Sequence, residues 1–121
     1  MNEVENKEFT HLKIHTQYSI CEGALKTIEL AKYCKANKVR AIGLCDSNNL
    51  CGALEFSESI AKSKTQPIIG TQINIQYKDH TGKIPLFAKD LEGYKNLIKL
   101  SSKSFLEIKD GEEPHCKIAD I

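Results

Sequence analysis

The run Val39-Arg40-Ala41-Ile42-Gly43-Leu44-Cys45 decides the fold, because it is short, mostly apolar and followed at once by Asp46. A strand with one wet face alternates apolar and polar residues, whereas a strand buried on both faces is almost continuously apolar. Strands of the second kind belong to parallel sheets that are covered by helices. The run therefore predicts a buried parallel strand, with Asp46 just past its carboxyl end.

The segments before and after this run fit the same architecture. Residues 9–14 alternate as a strand does, and residues 24–37 carry apolar side chains at helical spacing. After the central run, Asn48 or Asn49 can cap a second helix by accepting a hydrogen bond from a free backbone N–H. Each strand is thus followed by a helix, which is the order that builds parallel sheets.

A third strand begins at Pro67 and alternates through Tyr77, so one of its faces is wet or lines a cavity. Residues 78–83 are predicted as a turn, and residues 84–88 return as an antiparallel partner. Asp90 can then cap a last helix. The order β-α-β-α-β-β-α predicts an α/β fold of parallel strands with right-handed crossovers and one antiparallel hairpin strand.

Composition favours a soluble cytoplasmic protein. The chain has 121 residues, 40% of them hydrophobic, and no apolar run of about 18 residues that could span a bilayer. Its start lacks the basic and apolar regions of a secretory signal, and residues 1–8 are predicted as a flexible arm. The five cysteines include no C-x-x-C pair, which favours free thiols over disulfides or a thiolate metal site.

Charge is nearly balanced, with 17 basic and 16 acidic side chains and a net charge of +1. Arg40 is the single arginine, and the lysines near it, from Lys32 to Lys38, fit the solvated face of a helix. Strong DNA affinity normally comes from several cations that neutralise phosphates. The sequence therefore predicts little direct DNA binding, and no contact with a membrane.

Polar side chains lie at or near the carboxyl ends of the predicted strands, which is where barrels of parallel strands have their active sites. Period-two geometry places His11, Lys13 and His15 on one face of the first predicted strand. Asp46 follows the second strand, and Gln72 follows Ile68-Ile69-Gly70 in the third. These positions form the candidate site.

The motifs resemble those of the PHP (polymerase and histidinol phosphatase) family, in the form found at the start of bacterial DNA polymerase III alpha subunits. The resemblance implies a distorted βα-barrel of seven strands, of which this chain holds only part. It implies that residues 9–106 are the N-terminal part of a PHP domain, and that residues 107–121 are a polar tail or the start of the missing half. The stretches that carry it are 9–19, 22–24, 41–46, 52–56, 67–70 and 92–101.

Metal-binding members of that family have His-x-His after the first strand, an acidic residue in the next loop, Asp-His after the second strand and an acidic residue after the third. The resemblance makes three residues vestigial metal-ligand candidates and marks three positions as lost. An ammonium, a hydroxyl and a carboxamide are poor substitutes for imidazole and carboxylate ligands, although zinc or manganese could still bind weakly. The candidates are His15, Glu22 and Asp46, and the lost positions are Lys13, Ser47 and Gln72.

Two side chains of the first predicted strand, Lys13 and His11, each have two possible roles. Lys13 could replace a metal ion by pairing with Glu22 or Asp46, or it could extend into solvent at the barrel mouth. His11 lies on the same predicted face as His15, and a structural hydrogen-bonding role is favoured over a ligand role.

The resemblance implies a noncatalytic structural scaffold within a DNA-directed DNA polymerase, which braces the rest of the alpha subunit and offers a docking surface to the proofreading exonuclease. No polymerase catalytic residue falls in this chain under that interpretation. The competing hypothesis is an active metal-dependent phosphoesterase, either a proofreading nuclease or a relative of histidinol phosphatase. A third possibility is an independent small adaptor domain that dimerises through an open sheet edge.

Overall fold

The computed structural model describes residues 9–121. It contains four strands, three α-helices and a short 3-10 helix, in an order that alternates strands and helices until the hairpin. The elements are α1 (Thr27–Asn37), β1 (Ala41–Ser47), α2 (Ala53–Lys62), β2 (Gln66–Tyr77), β3 (His80–Phe87), α3 (Leu91–Leu106), β4 (Cys116–Lys117) and the 3-10 helix Ile118–Asp120.

The central strand of the sheet is β2. It runs parallel to β1 from Ala41↔Gln66 to Ser47↔Gln72, and antiparallel to β3 from Gly70↔Phe87 to Tyr77↔His80. Beyond the end of β1, the same edge of β2 pairs in parallel with β4. The expected α/β fold with parallel strands and an antiparallel hairpin strand is confirmed. The described residues form an open four-stranded sheet and do not close a barrel.

The hydrophobic core lies between the sheet and its helices. Ile42 and Leu44 of β1 and Phe56 and Ile60 of α2 have no exposed surface, and they pack together with residues of α1. Complete burial of each such side chain contributes about 1.5–3 kcal/mol. A second, smaller cluster joins β2 to β4 through Cys116. Residues 42–46 of β1 are all buried, as the apolar run predicts for a strand covered on both faces.

Residues 9–14 do not form the regular strand that their alternation predicts. This segment lies against β1 and makes an isolated parallel bridge, Ile14↔Leu44. Gly43 N–H donates to the carbonyl of His11 at 2.7 Å, and Cys45 N–H donates to that of Ile14 at 2.8 Å. A Cβ on Gly43 would lie 2.8 Å from the Cα of Leu12, so the missing side chain allows this close approach.

Two predicted boundaries were wrong. Asp46 lies inside β1, because pairing with β2 continues to Ser47. The cap of α2 is Gly52, without a side-chain hydrogen bond, so neither Asn48 nor Asn49 caps this helix. Asn49 instead accepts from Cys51 N–H and donates to two backbone carbonyls, which holds the turn before the helix.

The hairpin and the last helix agree better with the sequence. The turn between β2 and β3 is shorter than predicted, because pairing begins at Tyr77↔His80. Asp90 caps α3 as predicted, and its carboxylate accepts from Gly93 N–H at 2.8 Å. Residues 107–121, predicted as a polar tail or the start of the missing half, contain β4, where Cys116 is 2% exposed. The predicted arm, residues 1–8, lies outside the described residues.

Candidate functional site

The carboxylate of Asp46 is the most completely bonded polar group at the carboxyl end of β1. It is fully buried, and its Oδ1 accepts from Thr16 N–H at 2.6 Å and from the Ser19 hydroxyl at 2.7 Å. Its Oδ2 accepts from the Thr16 hydroxyl at 2.8 Å. Hydrogen bonds to an ionised acceptor are stronger than neutral ones. Asp46 thus ties the loop that contains Thr16 and Ser19 to the edge of the sheet.

The turn before α2 leaves room for this anchor. A Cβ on Gly52 would lie 2.7 Å from the ring of Tyr18 and 3.4 Å from Oδ2 of Asp46. A larger residue at this position would push against the loop that Asp46 holds. The segment between β1 and α2 therefore packs closely against the loop at Tyr18 and against the carboxylate of Asp46.

Glu22 is bonded by residues that the metal-binding pattern does not contain. Its Oε2 accepts from the Ser47 hydroxyl at 2.6 Å, and its Oε1 lies 4.0 Å from Nζ of Lys83. The hydrogen bond from Ser47 is the main reason that the pKa of Glu22 is lowered, and the charge of Lys83 acts in the same direction. The serine at the lost histidine position holds a carboxylate that could otherwise bind a metal.

Lys13 and His11 are both exposed in the segment next to β1. Among residues 9–121, no carboxylate lies within 4.0 Å of Lys13, and Lys83 is the cation closest to Glu22. The predicted pairing of Lys13 with Glu22 or Asp46 is therefore not found in this part of the chain. The ring of His11 packs edge-on against Phe9, with ring centroids 4.8 Å apart.

Two buried polar atoms have no hydrogen-bond partner within the described part of the chain. They are Nδ1 of His15 and Oε1 of Gln72. Gln72 is 4% exposed and stands next to Ser47 in the register of β1 and β2. An unpaired buried polar group costs about 1–3 kcal/mol. Both residues stand at positions where metal-binding members of the family have a ligand. Each of these positions therefore has a buried polar atom that makes no hydrogen bond within the described residues.

A second carboxylate joins the loop to both helices on the same side of the sheet. Glu55 of α2 accepts from the hydroxyls of Thr27 at the start of α1 and of Tyr18 in the loop. These two bonds lower the pKa of Glu55, with Thr27 as the larger cause, and the pKa of Tyr18 is raised mainly by its bond to Glu55. Together with Asp46, Glu55 fixes the loop at both ends.

The residues present do not fit a multinuclear metal centre. Within residues 9–121, no three His, Cys, Asp or Glu side chains come together in an arrangement that could hold a metal ion. Both oxygens of Asp46 are already acceptors, and one oxygen of Glu22 is bonded to Ser47. Of the three vestigial candidates, His15 has a buried ring nitrogen, Nδ1, without a hydrogen-bond partner among the described residues, and Oε1 of Glu22 faces Nζ of Lys83 at 4.0 Å.

Sequence reasoning missed the residues that hold the acidic candidates. Thr16 and Ser19 bond Asp46, Lys83 faces Glu22, and Thr27 bonds Glu55. Thr16 and Ser19 lie in the first motif, where hydroxyls near a predicted buried aspartate could have suggested its partners. Lys83 and Thr27 have no local pattern that distinguishes them from other surface and helix residues.

The described part of the chain contains no helix that is long and apolar enough to cross a membrane.

Structural similarity is found to several solved proteins, and two of them share less than a fifth of their residues with this chain, so the similarity concerns the fold alone. One is described as a metal-dependent phosphoesterase from Bifidobacterium adolescentis, with a TM-score of 0.63 at 16% identity over 78% of this chain and 32% of that one. The other is an amidohydrolase from Chromobacterium violaceum, with a TM-score of 0.59 at 18% identity over 78% of this chain and 34% of that one.

Sequence similarity is much closer to DNA polymerase III subunit alpha. The chain is 40% identical to the Helicobacter pylori protein over 111 residues, which cover 85% of this chain and 9% of that protein. It is 46% identical to the Rickettsia conorii protein over 99 residues, or 81% of this chain and 8% of that one. The Caulobacter vibrioides protein is 34% identical over 94% of this chain and 11% of its own length.

The chain thus spans about a tenth of the length of these relatives. The PHP domain model matches residues 11–120, which include every candidate site residue described above. The chain belongs to the PHP domain family and is homologous to the N-terminal region of DNA polymerase III subunit alpha.

Proposed function

We propose that this chain is a noncatalytic, structural PHP region of a replicative DNA polymerase alpha subunit, in which former metal-binding carboxylates hold the fold together. The observation that carries the proposal is the state of Asp46. Its two oxygens accept three hydrogen bonds from Thr16 and Ser19, and it has no exposed surface. A carboxylate in this state contributes to the fold without a metal ion.

The interaction of Ser47 with Glu22 supports the same proposal. A histidine at this position would offer a ring nitrogen to a metal, but the serine hydroxyl donates to Glu22 at 2.6 Å. Lys83 adds a positive charge 4.0 Å from the same carboxylate. Both partners are more than a third exposed, so solvent weakens this ion pair. The cation nevertheless offsets part of the charge that a divalent ion would neutralise.

The partners and the location follow from the homology and are part of the proposal. The parent polypeptide would be a DNA-directed DNA polymerase, acting in the cytoplasm. This domain would brace the remainder of the alpha subunit, and the proofreading exonuclease subunit is the proposed docking partner. Residues 9–106 would form the N-terminal part of the PHP domain, and residues 107–121 would lead into its remaining half.

A second candidate function is supported by one observation. Nδ1 of His15 and Oε1 of Gln72 are buried and unpartnered, and the structural neighbours include a metal-dependent phosphoesterase. A metal-dependent phosphoesterase is therefore the alternative, with weakly bound zinc or manganese as its cofactor. His15 would be the first residue to hold the ion, because its buried Nδ1 has no hydrogen-bond partner among the described residues, whereas both oxygens of Asp46 and one oxygen of Glu22 already accept hydrogen bonds.

Metal binding and hydrolysis distinguish the two functions. The natural chain is titrated with zinc and manganese by calorimetry, and hydrolysis of a phosphodiester is measured with each ion. The control restores the family ligands through Lys13→His, Ser47→His and Gln72→Glu. We expect metal binding in the restored variant and none in the natural chain. Stoichiometric metal in the natural chain, with hydrolysis that His15→Ala abolishes, would refute the structural proposal.

A further inference from the structure

Five cations from two separate stretches of sequence line one concave surface at the amino-terminal ends of β1 and β2. The surface encloses about 570 Å³, and its remaining lining residues are Val39 and Ser63. Among residues 9–121, no carboxylate lines it. We call it the basic cavity, and its cations are Lys35, Lys38, Arg40, Lys62 and Lys64.

Parallel strand pairing brings these stretches together. The connections from α1 to β1 and from α2 to β2 enter the sheet side by side, because β1 and β2 are neighbours. Gln66 N–H donates to the carbonyl of Arg40 at 2.9 Å, and the Thr65 hydroxyl donates to that of Val39 at 2.8 Å. These bonds hold the two connections in register, so the cavity has a fixed backbone frame.

The charge of the basic cavity is not compensated within the described residues. All five cations are exposed, and none of them takes part in an ion pair with residues 9–121. The carboxyl ends of α1 and α2 lie here and together offer about one negative elementary charge. Five positive charges exceed that amount, so neutralising the helix dipoles does not account for the cluster.

Two of the lysines occupy backbone conformations that rarely carry a side chain of this size. Lys38 has a φ of 51° and Lys64 a φ of 60°, both in the left-handed region. This conformation costs an ordinary residue about 1 kcal/mol, and glycine or asparagine is the usual choice at such helix ends. Both positions nevertheless add a cation to the cavity.

We propose that the basic cavity binds the phosphate backbone of a nucleic acid strand. Arg40 can contact one phosphate through two parallel N–H bonds, while the lysines act as point charges on neighbouring phosphates. A nucleic acid strand supplies several phosphates, which matches a cluster of five cations better than a single anion does. The choice of nucleic acid over an acidic protein segment rests on the proposed function in a polymerase.

The test measures DNA binding by the full chain in the presence of EDTA, by fluorescence anisotropy with single-stranded and duplex oligonucleotides of about 16 nucleotides. The first variant carries Lys35→Gln, Arg40→Gln and Lys62→Gln, which leaves the two left-handed lysines unchanged. The matched control carries Lys89→Gln, Lys95→Gln and Lys99→Gln, at three exposed lysines elsewhere. Both variants lose the same net charge, and circular dichroism verifies their fold.

We expect the natural chain and the control to lose about a hundredfold in affinity for single-stranded DNA between about 50 and 200 mM salt, as five neutralised phosphates require. The cavity variant should bind more weakly and lose only about sevenfold over the same range, because two cations remain. Duplex binding should show the same ranking, with a steeper salt dependence.

Three results would overturn the proposal. The first is that neither DNA binds at about 0.1 mM protein in low salt. The second is that the cavity variant and the control lose DNA affinity equally. The third is that polyglutamate competes as effectively as unlabelled DNA. The last result would assign the cavity to an acidic protein segment. EDTA excludes metal-dependent hydrolysis from the measurement, so a failure here is distinct from a failure of the structural proposal at Asp46.

Discussion

Replacing Asp46 distinguishes a structural carboxylate from a metal ligand by the sign of the stability change. In Asp46→Ala, the Thr16 N–H loses its acceptor in a buried position, and the hydroxyls of Thr16 and Ser19 lose theirs. A buried donor without a partner costs about 1–3 kcal/mol. The backbone N–H cannot turn away, whereas the hydroxyls can rotate, so we expect a loss of about 3–5 kcal/mol.

Urea unfolding followed by far-UV circular dichroism measures this loss, since the chain has no tryptophan to report by fluorescence. With a slope of about 2 kcal/mol per M, the midpoint should fall by about 2 M. The expected loss of about 3–5 kcal/mol is a large share of the 5–15 kcal/mol that typically stabilises a domain. Asp46→Asn preserves the shape and one acceptor, so it should lose only about 1–2 kcal/mol.

A metal ligand predicts the opposite result in metal-free protein. An unoccupied ligand carboxylate is a buried charge without its partner, and its removal should raise the stability. A midpoint for Asp46→Ala that equals or exceeds the natural one would therefore refute the anchoring role. The measurement is made in EDTA, so that a bound ion cannot change the sign.

Three further predictions concern the packing and the other carboxylates. Gly43→Ala should push the segment at residues 11–14 away from β1, cost about 1–3 kcal/mol and speed hydrogen exchange at Cys45 N–H. Thr27→Val should raise the pKa of Glu55 in a carboxyl NMR titration, because Thr27 is the main cause of its lowering. Glu22 has a folded-state pKa below its usual 4.5. Its contribution to the free energy of unfolding is therefore present above pH 4.5 and is lost as the pH falls through the folded-state pKa. Glu22→Gln should flatten this acid limb, the part of the stability curve below pH 4.5.

Each of these predictions has its own control. Gly82→Ala should leave the stability within about 0.5 kcal/mol, because nothing lies within 4 Å of the added methyl, and equal losses at Gly43 and Gly82 would contradict the packing argument. Tyr18→Phe should raise the pKa of Glu55 less than Thr27→Val does, and a reversed order would contradict the ranking. An unchanged acid limb in Glu22→Gln would exclude that carboxylate as a source of the pH dependence.

Elements with a strong local pattern were predictable from the sequence. The apolar run of β1, the alternation in β2 and the capping aspartate of α3 each depend on neighbouring residues only. Residues 9–14 alternate equally well, yet they make only an isolated bridge to β1, because regular pairing requires a complementary edge along the whole segment. β4 was missed for a related reason, since its two residues pair with β2 about 40 positions earlier in the chain and have no period of their own.

In the candidate site, too, some features were predictable from the sequence and others depend on the tertiary structure. The family motifs indicated His15, Glu22 and Asp46 as candidates, because residue types at fixed spacing can be read from the chain. The acceptor role of Asp46 required the loop to fold back onto β1, and the contact of Glu22 with Lys83 required the hairpin to place β3 beside β2. Of the two alternatives for Lys13, the pairing with Glu22 or Asp46 is not among the ion pairs of residues 9–121, and Lys13 is exposed.

The sequence by itself determined the α/β order, the buried strand and the family, because periodicity and motif spacing are local properties of the chain. Only the tertiary structure decided which groups satisfy the buried carboxylates and where the cations collect. All of β1 and nearly all of α2 separate Lys35 from Lys62 in the sequence, and the two lysines share one cavity because parallel pairing brings the starts of β1 and β2 together. A net charge of +1 conceals that cluster, since composition records how many charges a chain has and the fold determines which of them are neighbours.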